Sequence, residues 1–436
     1  MRSARRLLAA LGVLLMGAVL GPSVTSLKLP GGGVGLVRPQ SGAPLAAIEL
    51  WFRAPSIGFS ATPRPGIANL AALAVAASQP LTGTTLAALV ARAGGRFGVS
   101  VYPQTIEISA LVPASEAPSV LRTMSGVYFT PVLTQDGLEQ ALSEARTDAR
   151  LRDAAEPEQT LRDALFEALF SGGADHFSPS DVSDASTLTL DDVRDFATRA
   201  FRASNATIVL TGAVDASLAD AAVPGRSGGG ASEPYGSFAA EIRTQPQALT
   251  RQGPIPGFGY AWAGPPIKDE RAATALDFVA DYLFNVDTGV VTHAVANLDA
   301  TVEAQYVTYH DPGVFYVEAT GGQADAVRGK IDAALAQMRT PMPPKTFESA
   351  RLQFEYHVMS DVSTPLALAD NFGWYASEGD AAYAPGADLD GGRYVSSLRS
   401  LTPQFVAQTV AKYLSAHPAS VTLEVRPVTT GHQSTK

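Results

Sequence analysis

An internal repeat, at an offset near 210 residues, restricts the fold of this 436-residue chain more than any other feature. Ile48-Glu49-Leu50-Trp51-Phe52-Arg53-Ala54-Pro55 has a counterpart in Gly259-Tyr260-Ala261-Trp262-Ala263-Gly264-Pro265-Pro266, which places Trp51 opposite Trp262. Tyr128-Phe129-Thr130-Pro131 precedes Leu138-Glu139-x-Ala141, and Met338-Arg339-Thr340-Pro341 precedes Phe347-Glu348-x-Ala350. Leu188-Thr189, followed by Val193 and Phe201, matches Leu401-Thr402, followed by Val406 and Leu414. Each match is weak by itself. Three in the same order are the signature of a tandem duplication.

Each unit reads as strand, helix, two strands, several helices and a closing strand. In the first unit the paired strands cover residues 97–102 and 105–112, split by Pro103. In the second they cover 302–310 and 313–319, with Asp311-Pro312 as the turn. Helical periodicity follows over 119–127 and 324–337, and β-branched runs close the units at 206–210 and 420–425. Strand pairs followed by blocks of helix predict an α+β fold rather than alternating βαβ units. The expected fold is two tandem homologous half-units, each an antiparallel-rich sheet covered by helices. The units span residues 27–222 and 249–427. A linker over 223–248, glycine-rich from Gly225 to Gly236, joins them, and 428–436 form a polar tail.

Residues 1–26 read as an export signal. Arg2, Arg5 and Arg6 precede an apolar run from Leu7 to Leu20, which is short for a membrane span. This predicts an exported protein, periplasmic in a Gram-negative source, with no span after signal removal. A net charge of −10 argues against nucleic acid as the partner. The absence of cysteine excludes disulfides, thiolate metal sites and a cysteine nucleophile. No two of the six histidines stand three or four apart, so no helical metal pair exists. Asp175-His176 reads as a solvated turn. Asp191-Asp192, just after Leu188-Thr189, suits the first turn of a helix, where acids complement the dipole.

The stretch 66–77 is apolar almost all round and predicts a buried helix, started by Arg64-Pro65-Gly66. A strand-like run over 45–52 lies shortly before it. Asn69 is the one polar side chain in the helix interior. A buried amide without partners costs about 1–3 kcal/mol, so Asn69 marks a position worth explaining.

Strand, polar loop, Gly-hydrophobic-Ala and buried helix together resemble the start of the M16 zinc peptidases, the family of insulinase, pitrilysin and the mitochondrial processing peptidase. Gly94-Gly95 before the strand pair, Thr211-Gly212-Ala213-Val214-Asp215 and Leu401-Thr402 extend the resemblance over nearly the whole chain after the signal. In active members the helix reads Gly-x-Ala-His-x-x-Glu-His. The two histidines bind zinc and the glutamate is the general base. The resemblance places the first histidine at Asn69, the glutamate at Ala72, the second histidine at Leu73 and a third ligand, a glutamate, at Ala149. An Arg and a Tyr that hold substrate in active members fall at Ala296 and Glu303. All six positions carry other residues, which implies a peptidase fold with no catalytic residues, no metal and no cofactor. Short M16 chains pair, and inactive ones pair with active ones. The resemblance thus implies half of a peptide-holding chamber, completed by an active M16 subunit, with peptides as ligands of the complex. Two alternatives stay open: a structural scaffold or binding protein of the same fold, and a zinc peptidase with unorthodox ligands.

Overall fold

A computed structural model describes residues 24–425, except 30, 41, 79–83, 156, 174–184, 224–230 and 388–390. The expected signal, Asp175-His176, the glycine-rich start of the linker and the polar tail lie wholly or largely outside the described residues. The strands form two sheets. The first contains β1 (Thr25–Lys28), β2 (Val34–Pro39), β3 (Leu45–Arg53), β4 (Arg96–Val101), β5 (Thr105–Pro113) and β6 (Ala206–Gly212), in the order β1-β2-β6-β3-β5-β4. The second contains β7 (Ala248–Gly253), β8 (Gly257–Ala263), β9 (Ala300–Val307), β10 (Val314–Gly321) and β11 (Ala419–Val425), in the order β7-β11-β8-β10-β9.

The sheets repeat one topology. β2 runs parallel to β6 as β7 runs parallel to β11, and every other pairing is antiparallel. Thus β2, β3, β4, β5 and β6 correspond to β7, β8, β9, β10 and β11, with β1 an extra edge strand. The duplication read from the sequence is present, with one correction of register. Phe52 packs against Tyr128 on the helix-covered outer face of the first sheet, while Trp51 points the other way, towards Gly373. In the second sheet Tyr260 and Phe258 lie under Arg328 on the equivalent outer face, so Trp262 shares that face. Trp262 therefore shares its face with the counterpart of Phe52, and Trp51 shares its face with the counterpart of Ala261. In a strand a slip of one residue sends a side chain to the opposite face.

The helices of the first unit are α1 (Ile67–Ala77), α2 (Leu86–Arg92), α3 (Ala117–Phe129), α4 (Gln135–Ala155), α5 (Pro157–Leu169) and α6 (Leu190–Ala200). Those of the second are α7 (Glu270–Phe284), α8 (Val290–Val295), α9 (Ala324–Met338), α10 (Pro344–Asp361), α11 (Pro365–Glu378), α12 (Gly392–Arg399) and α13 (Pro403–Tyr413). Asp192 completes a capping box with Thr189 at the start of α6, which is why the Asp191-Asp192 pair stands there. On the outer face of the first sheet, Ile48, Leu50, Phe52, Ile106 and Ile208 join α1, α3 and α6 in one core. Apolar residues alternate along these strands, as a face packed on helices requires.

The inner faces are covered by exchange. α5, from the first unit, lies on β8, β10 and β11 of the second sheet. α11, from the second unit, lies on β3 and β6 of the first. Both helices open on a proline, Pro157 and Pro365, which a first helical turn tolerates. Each crossing is close enough to need a glycine. A Cβ on Gly373 of α11 would come within 1.9 Å of Trp51 Nε1, and one on Gly259 of β8 within 2.7 Å of Leu165 of α5. The described part of the linker is pinned between the units. The Tyr235 ring stacks on His310 at 4.8 Å, lies 4.2 Å from the Arg53 guanidinium, and its hydroxyl donates to the Gly379 carbonyl at 2.9 Å.

Helix exchange makes two predictions. Gly373→Ala should destabilise the protein by roughly 1–3 kcal/mol, although Ala is the better helix former, because the added methyl overpacks Trp51. A thermal melt reads this as a lower midpoint. The wild-type melt should also show one cooperative transition, since neither sheet can keep its inner face covered once the other unit unfolds. Two separate transitions would contradict the interlock.

Candidate functional site

α1 starts from Gly66, whose φ of 80° only glycine adopts without strain. Ala72 and Leu73 are buried, at 0% and 7% exposure, and Asn69 is half-buried. The Tyr128 hydroxyl donates to the Ala72 carbonyl at 3.0 Å, tying α1 to α3. α1 packs against α4, where Ala149 is half-buried. None of the side chains at Ala72, Leu73 and Ala149 offers a ligand atom, and Asn69 offers only an amide. In the second unit, Ala296 is exposed at the end of α8 and Glu303 is exposed on the edge strand β9. Glu303 stands opposite Glu318 in the β9–β10 register, where its charge acts on Arg162 and Glu318.

Polar chemistry gathers instead on the inner face of the first sheet. Glu49 of β3 and Glu107 of β5 are 0% and 5% exposed, and Asp370 of α11 reaches them from the second unit. One carboxylate oxygen from each lies within 4.8 Å of the others. Among the described residues this is the group of three ligand-bearing side chains close enough to share an ion, and it lies across the sheet from α1. The Trp51 indole N–H donates to Glu49 Oε2 at 2.6 Å, and the Tyr102 hydroxyl to Glu107 Oε2 at 3.4 Å. Trp51 stacks on Tyr102 at 5.9 Å, and Tyr102 meets Trp374 edge-on at 5.1 Å. Asp370 and these three rings open on a cavity of about 630 Å³ between the two sheets, whose far wall carries Arg162 and Tyr316.

Burial dominates the acidity of this group. It pushes Glu49 well above the usual carboxylate range, with help from its hydrogen bond to Asp370 and the charge of Glu107. Burial, then the charge of Asp370, pushes Glu107 up to about 7. Burial raises Asp370 as well. Carboxyls this close cannot all ionise cheaply in a dry setting, so the group holds protons near neutrality. Burial also pushes two further inner carboxyls, Asp277 and Glu378, up to about 7.

The sequence does carry a signal for this site. Glu49 and Glu107 each interrupt an apolar strand, Ile48-Glu49-Leu50 and Ile106-Glu107-Ile108. Asp370 could not be found that way, because nothing local tells that α11 crosses to the other sheet.

Residues 187–354 match the family model described as the Peptidase M16 inactive domain. The fold is M16-like. Solved structures agree in fold. A protease from Helicobacter pylori superposes with a TM-score of 0.77 at 15% identity, over 93% of this chain and 100% of that one. A peptidase M16 inactive domain from Pseudomonas fluorescens gives 0.72 at 16% identity, over 93% and 98%. A chain of complex III2 from Candida albicans gives 0.72 at 12% identity, over 92% and 95%. No curated protein matches the sequence. The match to an inactive domain fits a non-catalytic M16-like protein.

The buried acids make this M16-like chain pH-sensitive. Glu107 has an ordinary value of 4.5 when unfolded and about 7 in the fold. A raised folded value means its stabilisation is complete below about 4.5 and is lost as pH rises through about 7. The melting temperature should therefore fall between pH 5 and 8, with Glu107 alone contributing on the order of 3 kcal/mol. Glu107→Gln, which cannot ionise, should make the profile less steep. A wild-type profile flat over this range would contradict the assignment.

Proposed function

We propose that this chain is the non-catalytic subunit of a two-chain peptidase, forming half of a peptide-holding chamber whose other half is an active M16 zinc peptidase. The observation that carries the reading is α1. Where the resemblance requires His, Glu and His, the helix has a half-buried amide and two buried apolar side chains, Ala72 and Leu73. Replacing two polar residues by core residues removes the water-activating machinery and commits the helix to packing. The match to an inactive domain supports the same reading. The partner supplies metal and base, while this subunit supplies enclosure and position, which raise a rate by excluding bulk water and fixing the peptide. The apolar run of residues 7–20 supports pairing outside the cytoplasm, in a periplasm.

A scaffold role is the second reading, supported by the likeness in fold to a chain of complex III2.

The two readings separate in one set of measurements. The purified chain should hold no stoichiometric zinc, and chelator should leave its melting temperature unchanged. Leu73→His should not restore cleavage, because one imidazole cannot hold a tetrahedral site. Mixed with an M16 chain whose His-x-x-Glu-His is intact, it should form a larger species on size exclusion and raise that partner's peptide turnover. No complex and no rate change would favour the scaffold. One tightly held zinc per chain would overturn both.

A further inference from the structure

The duplication provides an internal comparison for the acid group. Arg162 and Asp370 are each five residues beyond the proline that opens their exchanged helix, α5 or α11. They stand at equivalent places over opposite sheets. Over the second sheet, Arg162 Nε donates to Glu318 Oε1 at 2.8 Å, and its guanidinium carbon lies 4.9 Å from the centre of the Tyr316 ring. A glutamate that is 1% exposed is thus answered by a cation of the same chain, resting on an aromatic face.

Over the first sheet the sign is reversed. Asp370 replaces the arginine, and the sheet beneath it presents Glu49 and Glu107. Among the described residues, the groups that act on these three carboxyls are acids, hydroxyls and the Trp51 indole, with no cation. Glu49 Oε2 accepts from the Trp51 indole, and the hydrogen bond between Glu49 and Asp370 needs a proton on one of the two acids. Clustered buried carboxyls with no counter-charge are costly to ionise. Asp370, with Trp51, Tyr102 and Trp374, lines a cavity of about 630 Å³, within the size range of small-molecule sites.

We propose that this cavity binds an organic cation, an ammonium or guanidinium on an apolar body. Asp370 holds the charge with Glu49 and Glu107 behind it, and Trp51, Tyr102 and Trp374 hold the body. The ligand would supply to the first sheet what Arg162 supplies to the second. A hard divalent ion fits less well. It seeks six or more oxygen ligands, and the rest of this wall is aromatic. The aromatic faces instead match a soft, partly apolar cation. This inference does not depend on the partner reading.

The test is titration calorimetry of the full chain at pH 8 with phenethylamine and with its uncharged counterpart 2-phenylethanol, alongside tryptophan fluorescence. Expected are one phenethylamine per chain, a fluorescence change, and binding of the alcohol weaker by about tenfold or more, since only the amine satisfies the acids. Asp370→Asn should weaken the amine by a similar factor. Asp370→Arg should abolish binding and raise the melting temperature, because its guanidinium fills the place that Arg162 fills over the other sheet. If Asp370→Arg does not fold, Asp370→Asn carries the comparison. Equal affinity for amine and alcohol, no amine binding to folded wild type, or stoichiometric Mn²⁺ binding lost in Asp370→Asn would each overturn the proposal.

Discussion

Reciprocal burial is the constraint on which the rest of this structure depends. Each sheet buries both of its faces, and its own unit supplies helices for one of them. The other is covered by a helix borrowed across the molecule, α11 for the first sheet and α5 for the second. A sheet face left in water would forfeit roughly 25 cal/mol for each Å² of apolar surface. The exchange therefore turns two marginal half-units into one body. It also explains why the described part of the linker can be short of regular structure, because the exchanged helices hold the halves together.

The same exchange decides where polar chemistry can sit. On the outer face, α1 packs into the core of its own unit, with Ala72 and Leu73 buried in it. On the inner face, the crossing helix brings side chains of one unit against strands of the other. The two crossings differ in charge: Arg162 answers Glu318, while Asp370 joins Glu49 and Glu107. Two sheets of one topology thus carry opposite electrostatics at equivalent positions.

Much of the fold was legible in the sequence, for identifiable reasons. The apolar run over 45–52 and β-branched runs at the closing strands state a strand directly. Pro103 and Asp311-Pro312 fix the hairpins, and Thr189 with Asp192 fixes a helix start. The buried helix was legible because the stretch 66–77 is apolar almost all round. What was hidden is long-range. Matching Trp51 to Trp262 paired rings on opposite faces, because residue identity outweighed the face each ring must occupy. The acid group was hidden because Asp370 is far from Glu49 in sequence and meets it only through a crossing that no local pattern encodes.

The borrowed helix also bears on how such a chain could arise. A product of one unit alone would present an open inner sheet face and a helix with nothing beneath it. Two such products satisfy each other by trading helices about a twofold axis, as domain-swapped dimers do. Joining the two copies end to end removes the concentration dependence of that trade and frees each half to diverge. The opposite charges of Arg162 and Asp370 are a divergence of this kind, open to a fused chain and closed to a symmetric pair, in which both sites must carry the same residue.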